Sequence, residues 1–140
     1  MGANAILYPV FALAALTFAV GFRLIYLRVA VVRRGELSPR YYRLNRGSEL
    51  PDYLAKVNNN YNNLLELPIL FYVVCVLLMV TARVDAVQLV LAWAYVATRC
   101  IHSLIHITFN RLRYRAWVFF FNVAALVAMW IRLVTQTMLA

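Results

Sequence analysis

Charge is scarce in this 140-residue chain, and acidic charge scarcer still: charged residues make up 14% of it, with 5 Asp and Glu against 14 Lys and Arg. Soluble domains devote about a quarter of their residues to charge, so an ordinary water-soluble fold is excluded. Cysteine occurs only 2 times, which leaves no disulfide framework and no metal-spaced pair. Cys75 and Cys100 both lie in apolar segments, where buried packing is the expected role. No basic region precedes the first apolar stretch as it would in a signal peptide; Arg23 and Arg28 follow it instead, and the first helix is expected to be retained. Internal repeats and low-complexity tracts are also missing, which argues against a transporter built from inverted halves. The formal charge of +9 does not mark a nucleic-acid binder, because the arginines flank or interrupt apolar runs rather than lining a soluble basic face.

Apolar residues, by contrast, fill 65% of the chain, against about 45–50% in soluble domains. They fall into four runs, at about residues 5–32, 57–80, 86–109 and 114–138, each long enough to cross a hydrocarbon core of about 30 Å. The expected fold is an all-α integral membrane four-helix bundle forming one domain over residues 1–140. Residues 33–56 carry Gly35, Pro39, Gly47 and Pro51 with most of the basic side chains, and read as an extramembrane loop. Its Tyr41, Tyr42 and Tyr53 suit a headgroup interface. Ser48 to Asp52 resembles a cap, so the second helix is expected to begin near Asp52 or Lys56, and Pro68 should kink it. Arg33, Arg34, Arg40, Arg43, Arg46 and Lys56 mark the first loop and Arg111, Arg113 and Arg115 the third, whereas the second holds only Arg83. By the positive-inside rule, loops one and three are expected to be cytoplasmic and both termini to lie opposite.

Two polar stripes interrupt this apolar background. On the third run Arg99, His102, Ser103, His106 and Asn110 recur at spacings that share one helix face; on the second, Asn59, Asn62, Asn63 and Glu66 do the same. Ionisable groups in a span should face the bundle interior, paired. Glu66 is the acid available and Arg99 the base, so an ion pair between them is the first expectation. The same pattern also fits structural glue, amides and a buried pair holding helices together. A metal shared by His102 and His106 is the weaker chemical reading, for the pair lacks the acidic partner of a zinc-protease helix motif. Neither cysteine is placed for nucleophilic catalysis, since Cys75 sits in an apolar run and Cys100 points away from the histidine stripe.

Three stretches carry a family resemblance: Asn63-Leu64-Leu65-Glu66-Leu67-Pro68, Arg99-Cys100-Ile101-His102-Ser103, and the basic run reaching Arg115. Their order and their helices resemble the MAPEG family, the membrane-associated proteins of eicosanoid and glutathione metabolism, over nearly the whole chain. The resemblance implies a homotrimer that binds glutathione between neighbouring subunits near the cytoplasmic face. It assigns Asn63, Glu66 and Arg99 to the peptide, Arg115 to thiolate stabilisation, and His102 and His106 to the surroundings of the bound molecule. The implied activity is a glutathione-dependent transferase or peroxidase on hydrophobic electrophiles or lipid hydroperoxides arriving from the bilayer.

Departures from the family pattern bear on that activity. Asn59 stands where eicosanoid enzymes of the family usually carry arginine, His106 where many have tyrosine, and Ala116 and Phe119 where some have serine and tyrosine. With hydroxyl donors lost, eicosanoid synthesis is not expected. The register around Asn63 is open by a residue or two, since Asn60 can take the same role. A rival reading is a non-catalytic membrane protein whose polar stripes hold a lipid headgroup or a protein partner, to which the basic first loop would contribute about 1 kcal/mol per basic residue near an anionic surface.

Overall fold

A chain in hydrocarbon must satisfy its backbone internally, and runs of Leu, Val, Ala and Phe do so as helices. The computed structural model describes residues 2–44 and 49–139; Arg46, Gly47 and Ser48, read above as part of the first loop and its cap, lie outside the described residues. After a short 3-10 turn, Ala3–Ile6, come α1 (Leu7–Arg33), the single-turn α2 (Tyr41–Leu44), α3 (Asp52–Glu66), α4 (Pro68–Val80), α5 (Ala86–Ile107) and α6 (Leu112–Met138). The spans Asn4–Arg33, Asp52–Val80, Ala86–Ile107 and Leu112–Met138 are long and apolar enough to cross a membrane. Large apolar side chains such as Phe18, Phe22, Val90, Phe120 and Ile131 are exposed on the bundle, as lipid-facing residues must be.

The second span is built from α3 and α4 end to end. Pro68 has no N–H to return to Leu64, so the hydrogen-bond ladder breaks at Leu67, which nevertheless keeps helical torsions (φ −60°, ψ −36°). α3 begins at Asp52, one of the two starts expected. Pro51 is the N-cap, without a side-chain bond; its carbonyl accepts from Leu54 and Ala55 N–H, each at 2.9 Å.

Helix ends set the loops. Gly35 (φ +72°) closes α1, with Gly35 N–H donating to Val32 and Glu36 N–H to Val31, the Schellman arrangement in which glycine adopts a left-handed conformation without penalty. The end of α4 repeats it with Ala82 (φ 52°) in glycine's place, Ala82 N–H donating to Met79 and Arg83 N–H to Leu78. An L-residue there is strained by roughly 1 kcal/mol. Ala82→Gly is therefore expected to stabilise the protein by about that amount, read as a higher midpoint in detergent thermal unfolding.

Loop two is fastened by Asp85. Its carboxylate caps α5 by accepting from Gln88 N–H at 2.8 Å, receives Arg132 at 2.5 Å and Gln136 Nε2 at 2.8 Å, and so ties the start of α5 to the end of α6. Arg83 adds a bond to the Gln136 carbonyl. The Arg132 guanidinium, with help from the Gln88 N–H, holds the Asp85 carboxyl below its ordinary value. A depressed carboxylate contributes stability above its unfolded pKa, about 3.9, and loses that contribution as pH falls through the lower folded value. Thermal midpoints should thus be unaffected by this group above about pH 5 and drop in stronger acid. Asp85→Asn, which keeps the cap but removes the charge, should flatten that acid limb.

Apolar contacts form two clusters. One gathers Leu13, Phe71, Tyr95, Leu126 and Met129 toward the loop-two end, with the Phe71 and Tyr95 rings stacked at 4.5 Å. The other joins α1 to α3 through Leu24, Val31, Leu54, Val57 and Leu64. Gly21 permits the close approach, for a Cβ there would stand 3.0 Å from the Tyr61 ring. Loops one and three share one end, where Lys56 Nζ donates to the Thr108 carbonyl at 3.4 Å.

Charged residues also delimit a slab. On α6, Arg115 and Arg132 leave roughly 25 Å of charge-free helix between them at 1.5 Å per residue.

Candidate functional site

The loop-one and loop-three edge of that slab carries the polar side chains. On α5, Arg99, His102, Ser103 and His106 are all buried, as one face of a 3.6-residue helix turned inward requires. Against them α3 presents Asn60, also buried, whose Nδ2 donates to Ser103 Oγ at 2.6 Å. Asn63 is half-buried, while Asn59, Asn62 and Glu66 are exposed. Helical spacing correctly made those residues cofacial, but the shared face of Asn59, Asn62 and Glu66 points outward.

The expected Glu66–Arg99 ion pair is not formed. Among the described residues the ion pairs are Arg34–Glu36 and Arg132–Asp85. Arg99, 1% exposed, instead donates from Nη2 to the Asn63 carbonyl at 2.5 Å, in the turn that Pro68 opens. Its Nε and Nη1 are buried with no hydrogen-bond partner among the described residues. A buried guanidinium so incompletely met is costly.

Arg115, in the first turn of α6, is held from two sides. Its Nη1 donates to Asn110 Oδ1 at 2.9 Å and lies 3.2 Å from His106 Nε2. Arginine offers no acceptor, so His106 must accept at Nε2 and carry its proton on Nδ1. Asn110 reaches Arg115 from a left-handed backbone (φ 45°), a conformation asparagine tolerates better than most residues. The His102 and His106 rings stand 5.9 Å apart, and His102 lies 6.2 Å from the Phe119 ring. Among the described residues no group of three His, Cys, Asp or Glu gathers as metal ligands.

A cavity of about 230 Å³ opens between these groups, lined by Asn63, His102, Arg115, Ala116, Phe119 and Phe120 with Leu112 at its edge. It joins a fixed cation and an imidazole to an apolar wall that continues onto the lipid-facing surface through the exposed Phe120. Set beside this geometry, the sequence model of the MAPEG family matches residues 6–135. The chain belongs to the MAPEG family. No curated protein and no solved structure gives a match.

Of the residues assigned by MAPEG resemblance, Asn63, His102 and Arg115 meet at the cavity. His106 stands behind Arg115 as its tether, Arg99 lies behind Asn63, and Glu66 remains on the outer face. The expectation of two buried cysteines holds for Cys75 alone. Cys100 is exposed, in a groove of about 400 Å³ with Leu16, Ala19, Arg23 and Leu104, because α5 turns that side away from the stripe.

Asn122 went unremarked in the sequence reading. It is fully buried and donates from Nδ2 to the Tyr95 carbonyl and to Thr98 Oγ1, both at 3.0 Å, fastening α6 to α5. A lone asparagine in an otherwise apolar run is the signal that points to it.

Proposed function

We propose that this MAPEG protein is a homotrimeric membrane enzyme that uses glutathione to conjugate hydrophobic electrophiles or to reduce lipid hydroperoxides. The carrying observation is Arg115, fixed by His106 and Asn110 at the wall of a cavity whose other side is apolar. A guanidinium beside a thiol favours the thiolate, the nucleophilic form. Bound glutathione supplies that thiol, which adds to an electrophilic carbon as the leaving group departs, or takes the outer oxygen of a hydroperoxide, leaving the alcohol and a sulfenic acid that a second glutathione converts to the disulfide with release of water.

The donor set suits the tripeptide. Asn63 presents an amide at the cavity, and behind it Arg99 has two nitrogens with no partner among the described residues, a match for a carboxylate. Glu66, on the outer face, is a partner for the ligand's ammonium. His102, on the cavity wall, is placed to exchange a proton with a departing oxygen. Loops one and three face the cytoplasm under the positive-inside rule, so a water-soluble thiol enters from their side.

Trimer assembly draws its support from the outward stripe. Asn59, Asn62 and Glu66 are exposed together on a membrane-spanning helix, where a neighbouring copy covers them at less cost than lipid does. The alternative, a non-catalytic lipid- or partner-binding bundle, is favoured by one observation: among the described residues no hydroxyl side chain lines the cavity. Calorimetry separates the two. Saturable glutathione binding by the detergent-solubilised protein near neutral pH, lost in Arg115→Ala, supports the enzyme; no heat at millimolar glutathione retires it.

A further inference from the structure

One arginine of α1 has no task inside the bundle. Arg23 is exposed on a membrane-spanning helix. Among the described residues the ion pairs are Arg34–Glu36 and Arg132–Asp85, so no acid there meets it. It stands at the rim of the groove of about 400 Å³ that holds Cys100, between α1 and α5, whose apolar walls are Leu16, Ala19, Val20, Leu104 and Ile107. An ionisable group in a span calls for a partner, and an unpaired one marks a site.

Ser103 gives the groove a second polar atom. It is 2% exposed yet lines the groove. Its Oγ accepts from Asn60, and its own hydroxyl proton has no acceptor among the described residues, so it is available to a ligand.

Depth selects that ligand. α1 and α5 both run toward the end that holds loops one and three. Gly21 meets Tyr61 and Asn60 meets Ser103, which places Arg23 about 3 Å on the loop side of Ser103 at 1.5 Å per residue. His106, a turn beyond Ser103, meets Arg115 where the charge-free stretch of α6 begins. The Arg23 backbone therefore lies near the hydrocarbon edge, and its long side chain reaches the phosphate level above. Leu16 and Cys100 carry the apolar walls inward, about 10 Å from Arg23 to Leu16. From the surface inward the groove offers a cation, a hydroxyl and an apolar trough, the order of phosphate, ester carbonyl and acyl chain in a phospholipid. α5 ends at Ile107 whereas α1 continues to Arg33, which leaves room for a headgroup over the end of α5. Among the described residues no carboxylate lines the groove to receive the ammonium of a zwitterionic headgroup, so a net negative one is selected.

We propose that Arg23 and Ser103 form, with this trough, a binding site for one anionic phospholipid, its phosphate at Arg23, an ester carbonyl at Ser103 and one acyl chain along Ala19, Leu16 and Cys100. The groove opens away from the outward stripe of α3: Asn60 and Tyr61 stand behind it, while Asn59, Asn62 and Glu66 lie on the other face of that helix. Arg115 and its cavity take no part.

The protein carries its own reporter, since Cys100 is exposed in the groove and Cys75 is buried. The test is the rate at which N-ethylmaleimide alkylates Cys100 of the full-length protein in a neutral detergent, followed by intact mass, with short-chain phosphatidylglycerol, phosphatidylcholine, laurate or inorganic phosphate added. Each variant is referred to its own rate without additive. Phosphatidylglycerol should protect Cys100 saturably and at the lowest concentration, and phosphate should not protect. Arg23→Gln should raise the half-protecting concentration of phosphatidylglycerol about tenfold or more, as loss of a charged hydrogen bond does. Arg43→Gln, which alters an exposed basic residue outside the groove, should leave it unchanged. Equal protection by the two phospholipids overturns the proposal, as does laurate acting at lower concentration, which marks a fatty-acid site, or protection by phosphate, which marks a soluble-anion site. So does an Arg43→Gln loss as large as that of Arg23→Gln, which marks diffuse attraction to basic charge. Should Arg23→Gln fail to fold or Cys100 fail to react, Ala19→Phe, which fills the groove from an exposed position, decides by native mass spectrometry: undiminished co-purified phosphatidylglycerol refutes the site.

Discussion

Replacing Arg99 by methionine is expected to stabilise the ligand-free protein by about 1–3 kcal/mol while abolishing glutathione binding. Arg99 is buried, spends one N–H on the Asn63 carbonyl, and leaves Nε and Nη1 unmet among the described residues. A methionine of similar length fills the space without a charge to desolvate. Stability and binding should therefore move in opposite directions, measured by thermal unfolding and calorimetry on the same preparation. A structural-glue role predicts the reverse. If Arg99→Met unfolds the bundle or dissociates its assembly, the guanidinium holds helices together and the ligand reading of this residue falls. Arg99→Ala is a poorer probe, because the cavity it leaves costs several kcal/mol on its own account.

Arg115→Ala is expected to lower kcat/KM for glutathione conjugation by roughly 100-fold or more, the usual effect of removing a fixed charge-stabilising donor. The bundle should remain folded, since Arg115 and its partner Asn110 are half-buried and only the buried His106 loses a contact inside. The diagnostic readout is the ultraviolet absorbance of bound thiolate, which should vanish in Arg115→Ala and return in part in Arg115→Lys. Lysine restores a positive charge but cannot reproduce the guanidinium fork that His106 and Asn110 hold. Unchanged thiolate absorbance in Arg115→Ala would assign the ionisation to another cation and leave Arg115 a positioning residue.

Helices and their faces were legible to different degrees. Four long apolar runs must become four spans, because hydrocarbon leaves a backbone no other solution of this kind. The inward stripe of α5 was equally plain, for Arg99, His102, Ser103 and His106 lie on the one side of an apolar helix that has reason to be buried. On α3 the same spacing argument fails. Asparagines at 58, 59, 60, 62 and 63 mark more than one face, so periodicity cannot say which turns inward, and Asn60 rather than Asn59 or Asn62 meets α5. The Glu66–Arg99 pairing failed for a related reason: opposite charges count as partners only if their helices face one another with those sides, and Glu66 is turned out. The tether on Arg115 depends on the left-handed backbone at Asn110 and on the path of the turn before α6, neither of which has a periodic signature. Pro68 announced a break in the ladder, but that Arg99 would be delivered to the opened turn follows only from the packing of α3 on α5.

The charge-free stretch of α6 between Arg115 and Arg132, roughly 25 Å at 1.5 Å per residue, is shorter than the hydrocarbon thickness of a typical bilayer, about 30 Å. Such mismatch costs a fraction of a kcal/mol per ångström and is relieved where surrounding acyl chains compress. The protein should accordingly dimple the leaflet around itself and partition toward short-chain bilayers. That deformation draws lipid tails, and any oxidised or electrophilic position along them, closer to the Phe119 and Phe120 side of the cavity than a flat membrane would.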